Sequence, residues 1–214
     1  HAELIEPQPA SLEQLELAHT SGHINDVRSQ GLFDIAALAA GAAVLSARIG
    51  IEEPCFGAIR PPGHHASEDS AWGFCFFNNI AIALLTLKSE KLIDTALILD
   101  IDLHYGDGTV NILDDKKWVK ISNPAKNKRS DYLKEVEEVL AANKVDLIGI
   151  SAGFDHHQED WGGLLATEDY FQIGRMTQKA SKKNGGGCFA VLEGGYNHNV
   201  LGQNVAALIN GMSK

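Results

Sequence analysis

Residues 96–108 read ALILDIDLHYGDG and give the clearest signal of the fold. This stretch opens as an apolar run and closes with Asp100, Asp102, His104 and a glycine-rich turn. A continuous run of branched apolar residues is typical of a strand that is buried on both faces of a parallel sheet. Alternate residues of a strand point to the same face of the sheet. The stretch therefore predicts a buried strand that brings two carboxylates and an imidazole to one place.

Four other short apolar runs predict further strands, and helical patterns lie between them. The predicted strands are 55–59, 95–101, 118–122, 145–151 and 188–193. The predicted helices are 21–30, 33–48, 78–88, 130–143, 167–183 and 199–211, after a first short helix that begins with the capping-box pair Ser11 and Gln14. Asn184 and the glycines after it indicate a helix end. Alternating strands and helices predict an α/β fold with a parallel sheet and right-handed crossovers.

Composition limits the class of protein. A chain of 214 residues with 44% hydrophobic residues suits a single domain, residues 1–214, with a sizeable core. Its net charge of −10 argues against nonspecific binding to nucleic acid or to anionic membranes. No run of 18 or more apolar residues is present, so no membrane span is expected. Cys55, Cys75 and Cys188 lie among apolar residues, which predicts reduced thiols in a cytoplasmic protein.

Polar residues that can do chemistry follow four of the five predicted strands. They are His64 and His65, then Asp102 and His104, then Asp155, and finally Tyr196. Ligands of open α/β sheets bind at the carboxyl ends of the strands. We therefore expect these side chains to converge on one site at that edge of the sheet.

Asp102 and His104 offer a carboxylate and an imidazole to a divalent metal, and Asp155 is the best candidate for a third ligand. Three protein ligands with an open position for water form the pattern of a catalytic metal site. An isolated Asp-x-His pair more often caps a turn. Because Asp155 and the paired histidines lie at neighbouring strand ends, the metal interpretation is favoured.

The adjacent His64 and His65 follow Pro61-Pro62-Gly63, which predicts a rigid turn. A histidine that acts as a general base needs a partner that orients its second ring nitrogen. Asp100 and Asp107 are the available carboxylates, and they predict two His–Asp pairs, although Gly-Asp-Gly is also an ordinary turn signal.

Tyr196 follows Gly194 and Gly195, which permit tight backbone geometry. A phenol that faces a metal can donate a hydrogen bond to a developing oxyanion. The alternative for this tripeptide alone is a half-buried tyrosine at a strand end.

Five segments together resemble the zinc-dependent histone deacetylase family. They are RPPGHHA (60–66), GFCFFNNIAIA (73–83), LDIDLHYGDGT (99–109), GISAGFDHH (149–157) and LEGGYN (192–197), in the order of that family. The resemblance implies a three-layer αβα fold with a mostly parallel central sheet, as in arginases and deacetylases. It indicates a compact member with shortened loops, of class II-like or prokaryotic type.

The resemblance also implies a role for each matching residue. Asp102, His104 and Asp155 match the zinc ligands, His65 matches the main general base and acid, and His64 matches its electrostatic partner. Asp107 and Asp100 match the groups behind the two histidines, and Tyr196 matches the phenol that polarises the scissile carbonyl. Gly73 and Phe74 match a wall of the acyl-lysine tunnel, and Gly195 is a further candidate for substrate binding. Asp100, Asp102, His104 and Ser122 match a structural site for K⁺ or Na⁺.

The implied reaction is hydrolysis of an amide that releases acetyl or another acyl group from a lysine side chain, a polyamine or another small acylated amine. The implied cofactor is one Zn²⁺ per chain, with Fe²⁺ as the alternative. Two other readings stay open: a binuclear manganese amidinohydrolase of the same fold, and a noncatalytic relative that binds acylated ligands. Neither nucleic acid nor a membrane is an expected partner.

The chain departs from the family in its loops. The predicted helices 21–30 and 33–48 are almost contiguous, and only NPAKNKR (123–129) separates Ser122 from the helix at 130. Relatives carry a longer loop with an acidic residue at the first point and an aromatic tunnel wall at the second. No counterpart of the family's first strand precedes Ser11. We therefore expect a shallow, open metal site and an exposed sheet edge that a homo-oligomer could cover.

Overall fold

A computed structural model, which describes residues 3–214, contains one sheet of five parallel strands. The strands are β1 (Cys55–Gly57), β2 (Ala96–Asp100), β3 (Val119–Ser122), β4 (Leu147–Ala152) and β5 (Gly187–Leu192). Their order across the sheet is β1-β5-β4-β2-β3, and every neighbouring pair is parallel. The five predicted strands are thereby confirmed, with small shifts at their ends.

Eight helices precede, connect or follow the strands in this part of the chain. They are α1 (Leu12–Glu16), α2 (Ser21–Ser29), α3 (Phe33–Gly50), α4 (Asn79–Ser89), α5 (Asp107–Leu113), α6 (Arg129–Ala142), α7 (Thr167–Asn184) and α8 (His198–Met212). The sequence did not predict α5. Its first residue is Asp107, which was interpreted as part of a glycine turn. A carboxylate in the first turn of a helix is favourable because it faces the positive end of the helix dipole.

The helices form a layer on each face of the sheet. Ile98 of β2 belongs to the hydrophobic cluster that α3 and α4 complete, whereas Leu97 and Leu99 belong to the cluster beneath α6, α7 and α8. All of β2 is buried, which is why its sequence reads as a continuous apolar run. The result is the three-layer αβα architecture that the sequence predicts.

Local signals at the helix ends are also confirmed. The Ser11 hydroxyl accepts a hydrogen bond from the Gln14 backbone N–H, and the Gln14 side chain accepts one from the Ser11 backbone N–H. Gly185 ends α7 in the left-handed conformation, with φ of +73°. These contacts fix where the chain enters and leaves the layers.

One helix bears on the expectation that no segment spans a membrane. By length and composition α3 is apolar enough to cross one, although Asp34 and Arg48 interrupt its apolar residues. Most of α3 is buried against α4 and β5. Its small, apolar residues are therefore accounted for by packing in the core.

The predicted short connections are present. Three residues separate α2 from α3, and residues 123–128 join β3 to α6. Residues 3–10 contain no strand, so β1 is an edge of the sheet and pairs only with β5. Cys55, Cys75 and Cys188 are all free thiols, as expected.

Candidate active site

The carboxyl ends of β2, β4 and β5 place the predicted residues together, but not by the route that the sequence suggested. β2 ends at Asp100, so Asp102 and His104 lie in the loop after it rather than on the strand. The loop curls because Asp100 accepts a hydrogen bond from the Asp102 backbone N–H, and Asp102 accepts one from the His104 backbone N–H. These local bonds, and not strand alternation, bring the three side chains to one place.

Asp102, His104 and Asp155 form a compact triad. Each offers a ligand atom, and these atoms lie within 4.8 Å of one another. The Nδ1 atom of His104 is 3.1 Å from Oδ1 of Asp102 and 3.0 Å from Oδ2 of Asp155. Both carboxylates are buried, whereas the imidazole is partly exposed. The predicted ligands are therefore brought together with one side open to solvent.

The triad fits a divalent cation. Asp155 Oδ1 accepts a hydrogen bond from the Leu103 backbone N–H, whereas the buried Oδ2 lies 3.0 Å from His104 Nδ1 but makes no hydrogen bond of suitable geometry. Burial and the Asp102 carboxylate raise the pKa of Asp155 to about 7, since two buried negative charges repel each other. A metal ion would satisfy the free oxygen and balance this charge.

Gly194 lets the backbone approach the triad closely. Its N–H donates to Asp102 Oδ2 at 2.8 Å. A Cβ at this position would lie 2.6 Å from that oxygen and 2.8 Å from Oδ2 of Asp155. A larger residue would therefore displace the carboxylates.

His64 forms the first predicted pair with Asp100. The Nδ1 atom of His64 lies 3.0 Å from Asp100 Oδ2, and its Nε2 atom lies 3.8 Å from Asp102 Oδ1. Burial alone would lower the pKa of His64, but the carboxylates of Asp100, Glu193 and Asp102 together outweigh it and raise the pKa to about 10. His64 is therefore a cation at neutral pH.

His65 forms the second predicted pair with Asp107. Its Nδ1 atom lies 2.6 Å from Asp107 Oδ1, and the ring is almost completely buried. Burial and the neighbouring His64 lower the pKa of His65, while Asp107 opposes this shift. His65 is therefore neutral at physiological pH and can accept a proton.

Glu193 supports the loop that carries both histidines. Its Oε2 atom accepts hydrogen bonds from the backbone N–H groups of Gly63 and His64, at 2.7 and 3.1 Å. Burial raises the pKa of Glu193 to about 7. Glu193 lies in the predicted strand 188–193, and the sequence motifs assign it no role. An acid at the end of a buried strand is the signal that points to it.

Tyr196 lies at the mouth of the site, on the loop before α8. Its backbone N–H donates to Asp160 Oδ2 at 2.8 Å, and its ring stacks on Trp161 with the centroids 4.0 Å apart. Burial and the Asp102 and Asp155 carboxylates raise the pKa of the phenol to about 12. The hydroxyl therefore keeps its proton at neutral pH and can donate a hydrogen bond.

The predicted substrate wall lies beside His65. Gly73 has φ of +61°, and a Cβ on it would lie 2.7 Å from Cδ2 of His65. Phe74 follows with φ of +62° and is 77% exposed. This side chain has little protein around it, which agrees with an open site.

The remaining predicted residues lie near this edge, but the structure shows no binding role for them. Ser122 is the last residue of β3 and pairs in register with Leu99. Gly195, with φ of +134°, packs near Leu201 and Phe154. The K⁺ or Na⁺ site and the substrate contact at Gly195 stay predictions.

Two tryptophans belong to the site and were not predicted. Trp72 stacks on His65, and Trp161 packs edge-on against His104 with the centroids 6.1 Å apart. Both are more than half exposed. Sequence spacing gave no signal for them, because each lies in a loop whose path only the fold determines.

Comparison with known proteins places this geometry in a family. A model of the histone deacetylase domain matches residues 1–123 and 119–212, and the two matched segments overlap at β3. A probable deacetylase of Methanothermobacter thermautotrophicus is 29% identical, over 97% of this chain and 78% of that protein. A probable deacetylase of Archaeoglobus fulgidus is 31% identical, over 90% of this chain and 69% of that one.

A rice protein and a solved structure agree with these matches. Histone deacetylase 10, chloroplastic, of Oryza sativa subsp. japonica is 27% identical, over 93% of this chain but only 60% of that protein. The crystal structure of the HDA15 HD domain superimposes with a TM-score of 0.86 at 25% identity, covering 98% of this chain and 77% of that one. Since the domain model spans nearly the whole sequence, the chain belongs to the histone deacetylase family.

Proposed function

We propose that this protein is a metal-dependent deacylase that hydrolyses the amide of acetyl-lysine, an acetylated polyamine or another small acylated amine. The observation that carries the proposal is the triad of Asp102, His104 and Asp155 beside two His–Asp pairs. The family supports the reaction class. The chain is shorter than the relatives that it matches, so the activity is argued from its own residues.

Asp102, His104 and Asp155 would hold one Zn²⁺. When bound, the ion supplies Lewis acidity, which polarises a carbonyl and acidifies water. Fe²⁺ in the same position and K⁺ or Na⁺ at Asp100, Asp102, His104 and Ser122 are further parts of the proposal.

His65 moves the protons. In its neutral form it accepts the proton of the attacking water as the C–O bond forms. It then delivers that proton to the amine nitrogen as the C–N bond breaks, so acid and amine leave with no net proton change on the enzyme. Asp107 fixes the tautomer, because an ionised carboxylate only accepts and therefore requires the proton on Nδ1 of His65.

His64 acts as a fixed charge. Asp100 keeps it protonated, and its ring centroid lies 4.0 Å from that of His65. A cation at this distance lowers the basicity of His65 and favours its return to the neutral form after it has protonated the amine.

Tyr196 would stabilise the tetrahedral oxyanion. Its raised pKa keeps the phenol protonated, so the Tyr196 hydroxyl can donate a hydrogen bond to the oxygen of the acyl group. A noncatalytic binding protein would have no need for this donor together with two oriented histidines.

The open site favours short substrates. Phe74 and Trp161 are 77% and 67% exposed, so little surface is available to bury a long acyl-lysine stem. We expect a small-molecule or peptide substrate and no nucleic-acid partner, with the cytoplasm as the compartment.

A hydrolysis panel tests the proposal. An acetyl-lysine peptide, an acetylated polyamine and a longer acyl-lysine are incubated with zinc-loaded protein, with Tyr196→Phe and with the control Tyr105→Phe. Turnover that collapses only in Tyr196→Phe supports a metallo-deacylase and identifies its substrate class. Binding without turnover by the zinc-loaded protein would instead favour the ligand-binding alternative.

A further inference from the structure

Trp72 contacts both His65, the proposed general base, and Asp107, the carboxylate that orients it. Its ring stacks on the His65 imidazole with the centroids 3.7 Å apart and the planes at 28°. Its indole N–H donates to Asp107 Oδ2 at 2.9 Å, while Asp107 Oδ1 faces His65 at 2.6 Å. The two oxygens of one carboxylate thus bind two rings that also touch each other.

We propose that Trp72 is a positioning residue for the general base. Trp72 fixes the orientation of His65 relative to Asp107 and covers the imidazole on its solvent side. The inference rests on the proposed function. Trp72 is itself 53% exposed, whereas His65 is only 3% exposed, so the indole is the group that stands between this imidazole and water.

The surrounding contacts explain why the indole is needed. The side chain of Asp107 is 46% exposed, so water competes for its oxygens. The indole N–H occupies one of them and leaves a single orientation in which the other can accept from His65. Gly73 packs against the ring edge of His65 and His64 packs beside it, so the imidazole is confined on several sides.

The indole N–H also affects the pKa values of Asp107 and His65. Hydrogen bonds from His65 and Trp72 lower the pKa of Asp107. Without the indole donor, Asp107 would hold the His65 proton more tightly and raise the pKa of His65. The titratable groups that face His65 are Asp107, His64, Asp102, His104 and the Cys75 thiol, which accepts from the His65 backbone N–H.

The replacement Trp72→Phe separates the two contacts, because phenylalanine can still stack but has no N–H. Trp72→Leu removes both contacts. The matched tryptophan control is Trp118→Phe, because Trp118 lies at the amino end of β3 and the site lies at the carboxyl ends of the strands. Each protein is melted first, to show that it folds.

Kinetics give the first readout. For Trp72→Phe we expect the acid limb of the kcat/KM profile to move to higher pH by about 0.5 unit, since only neutral His65 accepts a proton. For Trp72→Leu we expect kcat to fall by about tenfold or more, with little change in KM. Trp118→Phe should match the unmodified protein in both quantities.

Nuclear magnetic resonance of the metal-free protein gives a readout that needs no activity. The His65 Nδ1 proton, assigned with His65→Gln, should resonate far downfield in the unmodified protein and shift in Trp72→Phe. If the unmodified protein hydrolyses nothing but this shift appears, the proposed function fails while the positioning contact stands. An unchanged proton resonance together with unchanged kcat and pH profile in both Trp72 variants would overturn the inference.

Discussion

In the proposed reaction, the phenol of Tyr196 is the group that would separate hydrolysis from simple ligand binding. It contributes no ligand to the triad, and its pKa is raised to about 12 by burial and by the Asp102 and Asp155 carboxylates. Its hydroxyl is therefore available as a neutral hydrogen-bond donor over the whole physiological pH range.

The replacement Tyr196→Phe removes only that hydroxyl and keeps the ring that stacks on Trp161. We expect kcat to fall by about 10²–10³-fold, the usual loss for one oxyanion donor. Zinc content, measured by mass spectrometry, should not change. A variant that kept more than half of the original kcat would remove Tyr196 from the reaction.

Phe74 follows Gly73, which lies beside His65, and is the predicted wall of the substrate site. Because it is mostly exposed, we expect it to contact the substrate rather than to pack the core. We expect Phe74→Ala to raise KM by about tenfold, through lost apolar contact of about 1–2 kcal/mol, and to leave the melting temperature unchanged.

The matched control for Phe74→Ala is Leu92→Ala, an exposed apolar residue in the connection before β2. It should leave KM unchanged. A Phe74→Ala protein with an unaltered KM would show that the substrate does not lie along this wall.

Among the secondary-structure elements, β5 and the loop after β1 are joined by one buried acid, Glu193, which follows the last residue of β5. Glu193 binds two backbone N–H groups of that loop, so the strand positions His64 and His65 without touching substrate. Removing this acceptor would leave buried donors unsatisfied.

The replacement Glu193→Gln keeps an acceptor oxygen but cannot ionise. The pKa of Glu193 rises from an ordinary 4.5 to about 7 on folding, so the folded state binds the proton more tightly than the unfolded state. This contribution to stability is fully present below pH 4.5 and is lost as the pH rises through about 7.

The unmodified protein therefore loses stability from pH 5 to pH 8, whereas the glutamine variant does not. The free energy of unfolding of the variant should rise relative to that of the unmodified protein by about 1–3 kcal/mol between these two pH values. Denaturant unfolding at the two pH values measures this difference. A difference between the two proteins that is independent of pH would contradict the account of Glu193.

Elements whose signals are local were predictable from the sequence. The strands follow from continuous apolar runs, and the ends of α1 and α7 follow from Ser11 and Gly185. Helix α5 was not predicted because Gly-Asp-Gly is an equally good turn signal. Whether the residues after 106 form a turn or a helix depends on how the chain packs there.

At the scale of the whole molecule, the five parallel strands explain why residues far apart in the sequence meet. The triad and both His–Asp pairs were predictable, since each follows a strand end at one edge of the sheet. The contacts of Trp72, Trp161 and Glu193 were not, because they join loops whose relative positions depend on the complete fold.

The proposed function depends on one metal ion held by Asp102, His104 and Asp155. The most direct test removes all metal with a chelator, titrates zinc back by calorimetry, and follows deacetylase activity in the same samples. Asp155→Asn is measured beside the unmodified protein, since it keeps the size of the side chain but removes its charge.

We expect one zinc ion per chain, activity that returns in proportion to bound zinc, and loss of both in Asp155→Asn. Two bound metal ions with a preference for manganese would indicate the amidinohydrolase alternative and contradict a site for one zinc ion. Zinc binding that survives unchanged in Asp155→Asn would contradict it equally, since the ion would then be held elsewhere.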